Sequence, residues 1–134
     1  MASFDQKLRT LYLMEIMLER TDDMLNAAAE NADTAIVTIG RYSSEGSDRS
    51  ASKGDYYLSD AETELLTRVA AKFKKTVVVL NVGAVLDTEW IKDIPGIDSV
   101  LMAWQAGMEG GLATADVLVG DVNPSGKFVD TFAK

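Results

Sequence analysis

Short, continuously apolar, β-branched runs recur along the chain between segments of helical spacing, and this alternation sets the fold class. Residues 34–39 (Thr34-Ala35-Ile36-Val37-Thr38-Ile39), 76–82 (Thr76-Val77-Val78-Val79-Leu80-Asn81-Val82) and 99–104 (Ser99-Val100-Leu101-Met102-Ala103-Trp104) read as strands buried on both faces, the signature of a parallel sheet. Between the first two, Ser59-Asp60-Ala61-Glu62 is a capping box opening a helix. Leu65, Leu66, Val69, Ala70 and Phe73 share one face of it, while Lys72, Lys74 and Lys75 sit where the dipole favours positive charge. Thr21 is the expected N-cap of an earlier helix over 22–32, with Asp22 and Asp23 in its first turn and Met24, Leu25, Ala28 and Ala32 turned inward. Residues 86–92 predict a short helix containing Trp90 and Ile91, ended at Ile94-Pro95-Gly96 because proline disfavours helix in the residue before it. A final helix over 112–119 stops at Gly120, Asn123-Pro124-Ser125-Gly126 makes a turn, and 128–132 reads as a last short strand. Residues 11–18 read as extended, although Leu8, Leu11, Tyr12, Ile16 and Leu18 also fit a loose helical stripe.

Strands alternating with helices predict an α/β fold: a three-layer α/β/α sandwich with a mainly parallel sheet and right-handed crossovers, flavodoxin-like in style. Residues 1–20 are then an N-terminal arm and 21–134 the sandwich. A chain of 134 residues has the length of one domain with one core.

Composition narrows the chemistry. With no cysteine and no histidine, thiolate and imidazole metal sites, cysteine nucleophiles and Ser-His-Asp triads are all excluded, so any catalysis uses carboxylates, Lys, Arg, Tyr or hydroxyls. No metal or cofactor is implied. A net charge of −8 argues against nucleic acid and anionic membrane as partners. No apolar run is long enough for a membrane span, and Met1-Ala2-Ser3-Phe4-Asp5 lacks the basic start and apolar core of a signal peptide, so a cytoplasmic location is the expectation.

One connection stands out. From Gly40 to Leu58 the chain is polar and glycine-punctuated, far longer than the two to six residues a βα connection usually needs, and it leaves the carboxyl end of a strand, where open parallel sheets collect ligands. Within it, Glu45 between Ser44 and Gly46 is the candidate catalytic carboxylate, because the flanking glycine lets the backbone approach a ligand closely. Arg41, Asp48, Arg49, Lys53 and Asp55 share the loop. For Asp48 and Arg49 the plainer reading is an arginine bracing the loop against a neighbouring carboxylate, and Lys53-Gly54-Asp55 reads as turn chemistry. Gly107-Met108-Glu109-Gly110-Gly111 fits neither phosphate-binding glycine pattern and reads as close helix-to-sheet packing, while Trp90 and Trp104 read as core or interface anchors.

Taken together, Gly40-Arg41, Ser44-Glu45-Gly46-Ser47-Asp48-Arg49, Lys53-Gly54-Asp55-Tyr56-Tyr57-Leu58-Ser59, Trp104-Gln105-Ala106-Gly107-Met108-Glu109-Gly110-Gly111, Ala115-Asp116-Val117-Leu118 and Gly120-Asp121-Val122-Asn123-Pro124-Ser125-Gly126-Lys127 resemble the second domain of glycoside hydrolase family 3. Family members pair this α/β sandwich with a (β/α)8 barrel and cleave terminal β-linked sugars with retention. The resemblance implies that Glu45 is the general acid/base, that Arg41, Ser44, Gly46, Asp48, Arg49, Lys53 and Asp55 belong to the substrate-site loop, and that the nucleophile is an aspartate on a barrel. This chain has neither the length nor the repeated βα units for a barrel, so it reads as half of an active site, inactive alone, with the barrel as intramolecular partner and a β-glycoside as substrate. Phe128-Val129 stands where the family usually has Leu-Pro. The alternative is a stand-alone α/β ligand-binding or interaction domain whose loop 41–58 recognises a ligand without catalysis. Residues 41–58 are expected to be the most mobile part of the isolated chain, and Tyr42, Tyr56, Tyr57 and Trp104 to form an apolar patch that promotes self-association.

Overall fold

The structure, a computed structural model, describes residues 11–13, 22–41, 48–128 and 131–132. Four parallel strands, β1 (Leu11–Leu13), β2 (Thr34–Gly40), β3 (Lys75–Asn81) and β4 (Ser99–Met102), lie in sequential order across one sheet. Helices α1 (Asp22–Asn31), α2 (Asp60–Lys72) and α3 (Trp90–Asp93) make the connections, and α4 (Gly110–Val119) follows β4. Because parallel crossovers are right-handed, sequential strand order sends α1, α2 and α3 to one face. The core agrees: Leu25 of α1, Leu66 and Val69 of α2 and Trp90 of α3 pack with the alternating residues Val37, Ile39, Val78 and Leu80. Ile36 and Val79 point to the opposite face and are also buried, at 3% and 5% exposure, so the central strands are covered on both sides as their continuous apolar runs require. The chain is thus an α/β/α sandwich built on a parallel sheet.

Register places Ala35 opposite Thr76, Val37 opposite Val78 and Gly40 opposite Asn81, with Leu80 opposite Met102. The carboxyl ends of β2, β3 and β4 therefore form one edge, from which the segments 41–59, 82–89 and 103–109 emerge.

Local chemistry explains most boundaries. Ser59 caps α2 in a complete capping box: its hydroxyl accepts from the Glu62 N–H at 3.2 Å and the Glu62 carboxylate accepts from the Ser59 N–H at 2.7 Å. Asp22 of α1 reaches Arg68 at 3.2 Å and Lys72 at 3.5 Å, tying the two helices together, and the Arg68 hydrogen bond leads the interactions that lower its pKa. Gly120, at φ +83°, ends α4 in the left-handed conformation.

Several expectations are corrected. Met24 is 50% exposed, because the inward stripe of α1 runs through Leu25, Ala28, Ala29 and Ala32 and leaves Met24 beside it. Helix α2 ends at Lys72; Lys74 pairs with Asp33 at 2.9 Å and Lys75 already belongs to β3. The helix expected from residue 86 begins only at Trp90. Upstream of it the Asp87 N–H donates to the Tyr56 carbonyl at 2.8 Å and the Trp90 indole donates to the Asp87 carbonyl at 2.7 Å, bonds that hold 86–89 outside a helix around the fully buried Leu86. Strand β4 stops at Met102, and Trp104 takes a positive φ of 55° incompatible with a strand.

Phe128, Thr131 and Phe132 pair with no strand. The two phenylalanine rings instead gather on Trp104, at centroid distances of 6.4 and 6.3 Å. The close approach expected of the glycine run occurs only at Gly110, where an added Cβ would meet Ala106 of the same loop at 2.8 Å rather than the sheet. The extended reading holds at residues 11–13; Thr21, residues 14–18 and Val129-Asp130 lie outside the described residues.

Gly96 gives a direct test of packing between the turn before β4 and α2. Its φ is +91°, and an added Cβ would lie 2.8 Å from the Ala70 carbonyl oxygen, which is backbone and cannot rotate away. Gly96→Ala combines left-handed strain with that clash and should destabilise the chain by about 1–3 kcal/mol in urea unfolding. A midpoint equal to that of the parent chain would contradict the geometry.

Candidate functional site

The carboxyl end of β2 is organised by a buried guanidinium. Arg41 follows the strand directly, its N–H donating to the Asn81 carbonyl at 3.2 Å, and the residue is 8% exposed. Its side chain turns back over the sheet edge toward the first turn of α2. There Nη1 meets Glu62 Oε1 at 2.5 Å and Nη2 meets Oε2 at 2.7 Å, a bidentate fork-to-fork pair. The remaining donors go to main chain: Nη1 to Gly40 O at 2.7 Å, Nε to Asp55 O at 2.9 Å, and Nη2 toward Tyr57 O at 3.5 Å. One side chain therefore joins the strand end, the turn at 55–57 and the cap of α2.

The loop residues 48–58 are folded around Asp55. Its carboxylate accepts from Arg49 Nη1 at 2.5 Å on Oδ1, and from the Ser50 N–H at 2.8 Å and hydroxyl at 2.9 Å on Oδ2. Ser52 O accepts the Tyr57 N–H at 3.1 Å and Tyr57 O accepts the Gly54 N–H at 2.9 Å, with Gly54 at φ +83° turning the chain. The Tyr56 and Tyr57 rings meet edge to face at 5.1 Å, and Leu58 is buried in the core. This half of the long connection has its own hydrogen-bond framework, where composition alone suggested mobility.

Both engaged carboxylates are held in the ionised form. The Arg49 hydrogen bond, helped by Ser50, lowers the Asp55 pKa from 3.8 to about 2. For Glu62, burial by itself would raise the pKa, but the hydrogen bonds from Arg41 and Ser59 together with the Arg41 charge outweigh it, and the net shift is downward. Neither group is placed to hand over a proton near neutrality.

The expected site residues divide accordingly. Arg41 is in the loop but buried, with its donors spent on Glu62 and the main chain. Arg49 braces the loop as the plainer reading expected, with Asp55 as its partner. Asp48 is exposed. Lys53 pairs with Asp60 at 2.5 Å on an open surface, both side chains more than 60% exposed, so it contributes little to stability. Ser44, Glu45 and Gly46, and Tyr42 beside them, lie outside the described residues. Sequence reasoning missed Glu62 as the partner of Arg41: it was recognised as the third residue of the capping box, but nothing local links it to a residue at 21 positions' separation.

A hollow of about 440 Å³ lies between β3, β4 and α3, walled chiefly by Leu80, Ile91, Val100, Met102, Phe128 and Phe132. Thr88 and Thr131 add hydroxyls to its rim, and none of the described residues that line it is titratable. Among the described residues no group of His, Cys, Asp and Glu is arranged to hold a metal ion.

Comparison with known proteins adds to this geometry. Residues 3–134 match the family described as the glycosyl hydrolase family 3 C-terminal domain. The chain is 46% identical to beta-glucosidase A of Butyrivibrio fibrisolvens, covering 84% of this chain and 16% of that protein. It is 45% identical to a beta-glucosidase of Ruminococcus albus, over 84% of this chain and 12% of the relative. A beta-glucosidase structure from Paenibacillus barengoltzii superposes with a TM-score of 0.82 at 41% identity, over 87% of this chain and 13% of that one. Beta-glucosidase 3B from Thermotoga neapolitana, solved in complex with glucose, gives 0.76 at 42% identity, over 81% and 16%. The chain thus spans less than a fifth of the length of each of these relatives.

Two tests follow from the ion pairs. Arg41→Met leaves the Glu62 carboxylate buried without its counter-ion and should cost about 3–5 kcal/mol of folding stability, read from denaturant midpoints; a loss within 1 kcal/mol would deny the pair its place. The Asp55 pKa is depressed on folding, so its contribution is complete above the ordinary value of 3.8 and disappears as pH falls toward about 2. Asp55→Asn should therefore flatten the acid limb of stability against pH across that interval, and an unchanged limb would contradict the assignment.

Proposed function

From the premise that this chain belongs to the glycosyl hydrolase family 3 C-terminal domains, we propose that it is the acid/base-carrying domain of a retaining, exo-acting β-glycosidase of β-glucosidase type. The observation that carries this reading is the match across residues 3–134, supported by a long connection that leaves the carboxyl end of β2 and whose sequence includes Ser44-Glu45-Gly46. Glu45 protonates the departing glycosidic oxygen and, in the second half-reaction, takes a proton from the attacking water. Two other carboxylates of the region, Asp55 and Glu62, are held ionised by arginines and cannot serve as the acid, which supports the assignment to Glu45. The nucleophile comes from a (β/α)8 barrel elsewhere in the parent protein, the sandwich's partner, and the substrate is a β-glycoside.

In the full-length parent, Glu45→Ala should slow unactivated β-glucosides far more than aryl glycosides with good leaving groups, since only the former need a proton at the leaving oxygen. Added azide should restore turnover and yield a glycosyl azide of retained configuration. Undiminished hydrolysis of unactivated substrates by Glu45→Ala would refute the role. The isolated chain should not hydrolyse an aryl β-glucoside, because one carboxylate cannot complete a double displacement, and exposed Tyr57 and Trp104 favour its self-association, which sedimentation at increasing concentration would read.

A further inference from the structure

Helix α4 departs from the pattern that α2 follows. In α2 the buried stripe of Leu66, Val69 and Ala70 is backed by a charged outer face that includes Asp60, Glu64 and Arg68, the arrangement of a helix with one side in water. In α4, Asp116 is the only ionisable residue, and Leu112, Ala113, Ala115, Val117, Leu118 and Val119 fall on every side of the helix at about 3.6 residues per turn. No acidic residue stands in its first turn and no basic residue in its last, so its dipole is not complemented by charge at either end. A helix that is apolar all round belongs in a place that is covered all round. Yet no α4 residue is buried: Leu112 is 64% exposed, and Met108, in the loop leading into the helix, is wholly exposed.

We propose that α4, with Met108 at its entrance, is an interdomain face, covered in the parent protein by an apolar surface of the same polypeptide outside residues 1–134. The proposal rests on the reading of this chain as part of a longer β-glycosidase and is independent of the role of Glu45. Two arguments select this occupant. The chain spans less than a fifth of each related beta-glucosidase, so most of such a polypeptide lies elsewhere. A surface on the same polypeptide also meets α4 at an effective concentration of millimolar order, above what a second copy or a separate protein reaches in dilute solution. The covering surface is itself apolar at its centre, because α4 offers a buried charge no partner and presents only the Asp116 carboxylate to a buried cation.

The chain has no cysteine, so one introduced thiol reports on one place. Leu112→Cys is made in the isolated chain and in the full-length parent, with Glu64→Cys on the charged face of α2 as the reference site. Each protein is labelled with a maleimide at a concentration where it sediments as a monomer, and the rate is read at the labelled peptide by mass spectrometry. Relative to Glu64→Cys, Leu112→Cys should react at a comparable rate in the isolated chain and at least about tenfold more slowly in the parent. Should Leu112→Cys fail to fold, Met108→Cys takes its place, since the Met108 side chain is wholly in solvent in the isolated chain. Equal relative rates in the isolated chain and in a longer parent would overturn the proposal. Protection that arises in the parent only above the concentration at which it self-associates would give the face to a second copy and overturn it as well. A parent no longer than this chain would instead overturn the reading on which the proposal rests.

Discussion

The pairing of Arg41 with Glu62 is the constraint around which the carboxyl edge of the sheet is built. A guanidinium carries five N–H donors and cannot lose its charge, so taking it out of water requires an acceptor in nearly every direction. The chain supplies them from three places: the end of β2, the turn at 55–57, and the carboxylate of Glu62, which also closes the cap of α2. Each acceptor is useful only if the segment carrying it stands in the right position. Satisfying one buried cation thereby fixes the relative placement of a strand, a loop and a helix that are separated in sequence.

This arrangement explains how residues 48–59 of the long connection after β2 keep their order. Long structureless loops expose unsatisfied backbone, yet residues 48–58 direct theirs to one another, to Arg41 and to the segment after β3. The acidic groups involved serve as acceptors and are stabilised as anions, so their acidity is spent on architecture.

Away from that edge the chain is less self-contained. Helix α4 is apolar in composition and none of its residues is fully buried, while Met108 is wholly exposed, Leu112 64% exposed and Phe128 59% exposed. Apolar surface of this extent is unusual for a self-sufficient monomeric domain. It accords with the small share of each related beta-glucosidase that this chain spans.

Much of the fold is legible in the residues alone, because its causes are local. Continuous β-branched runs yield β2, β3 and β4 in their places, the Ser59 capping box sets the start of α2 to the residue, and Gly120 ends α4. The family motifs, including Ser44-Glu45-Gly46, are likewise readable without coordinates, since covalent order is all they need. What sequence spacing could not decide is which distant groups share a charge or a hydrogen bond. The delayed start of α3 depends on bonds from Asp87 to Tyr56, and Phe128 and Phe132 gather on Trp104. That Arg41 lies buried against Glu62, and that Arg41 and Arg49 meet at Asp55, depends on the register of β2 beside β3 and the packing of α2 on both. Desolvation and electrostatics act through space, so the tertiary structure alone selects the partners that turn a polar loop into a frame.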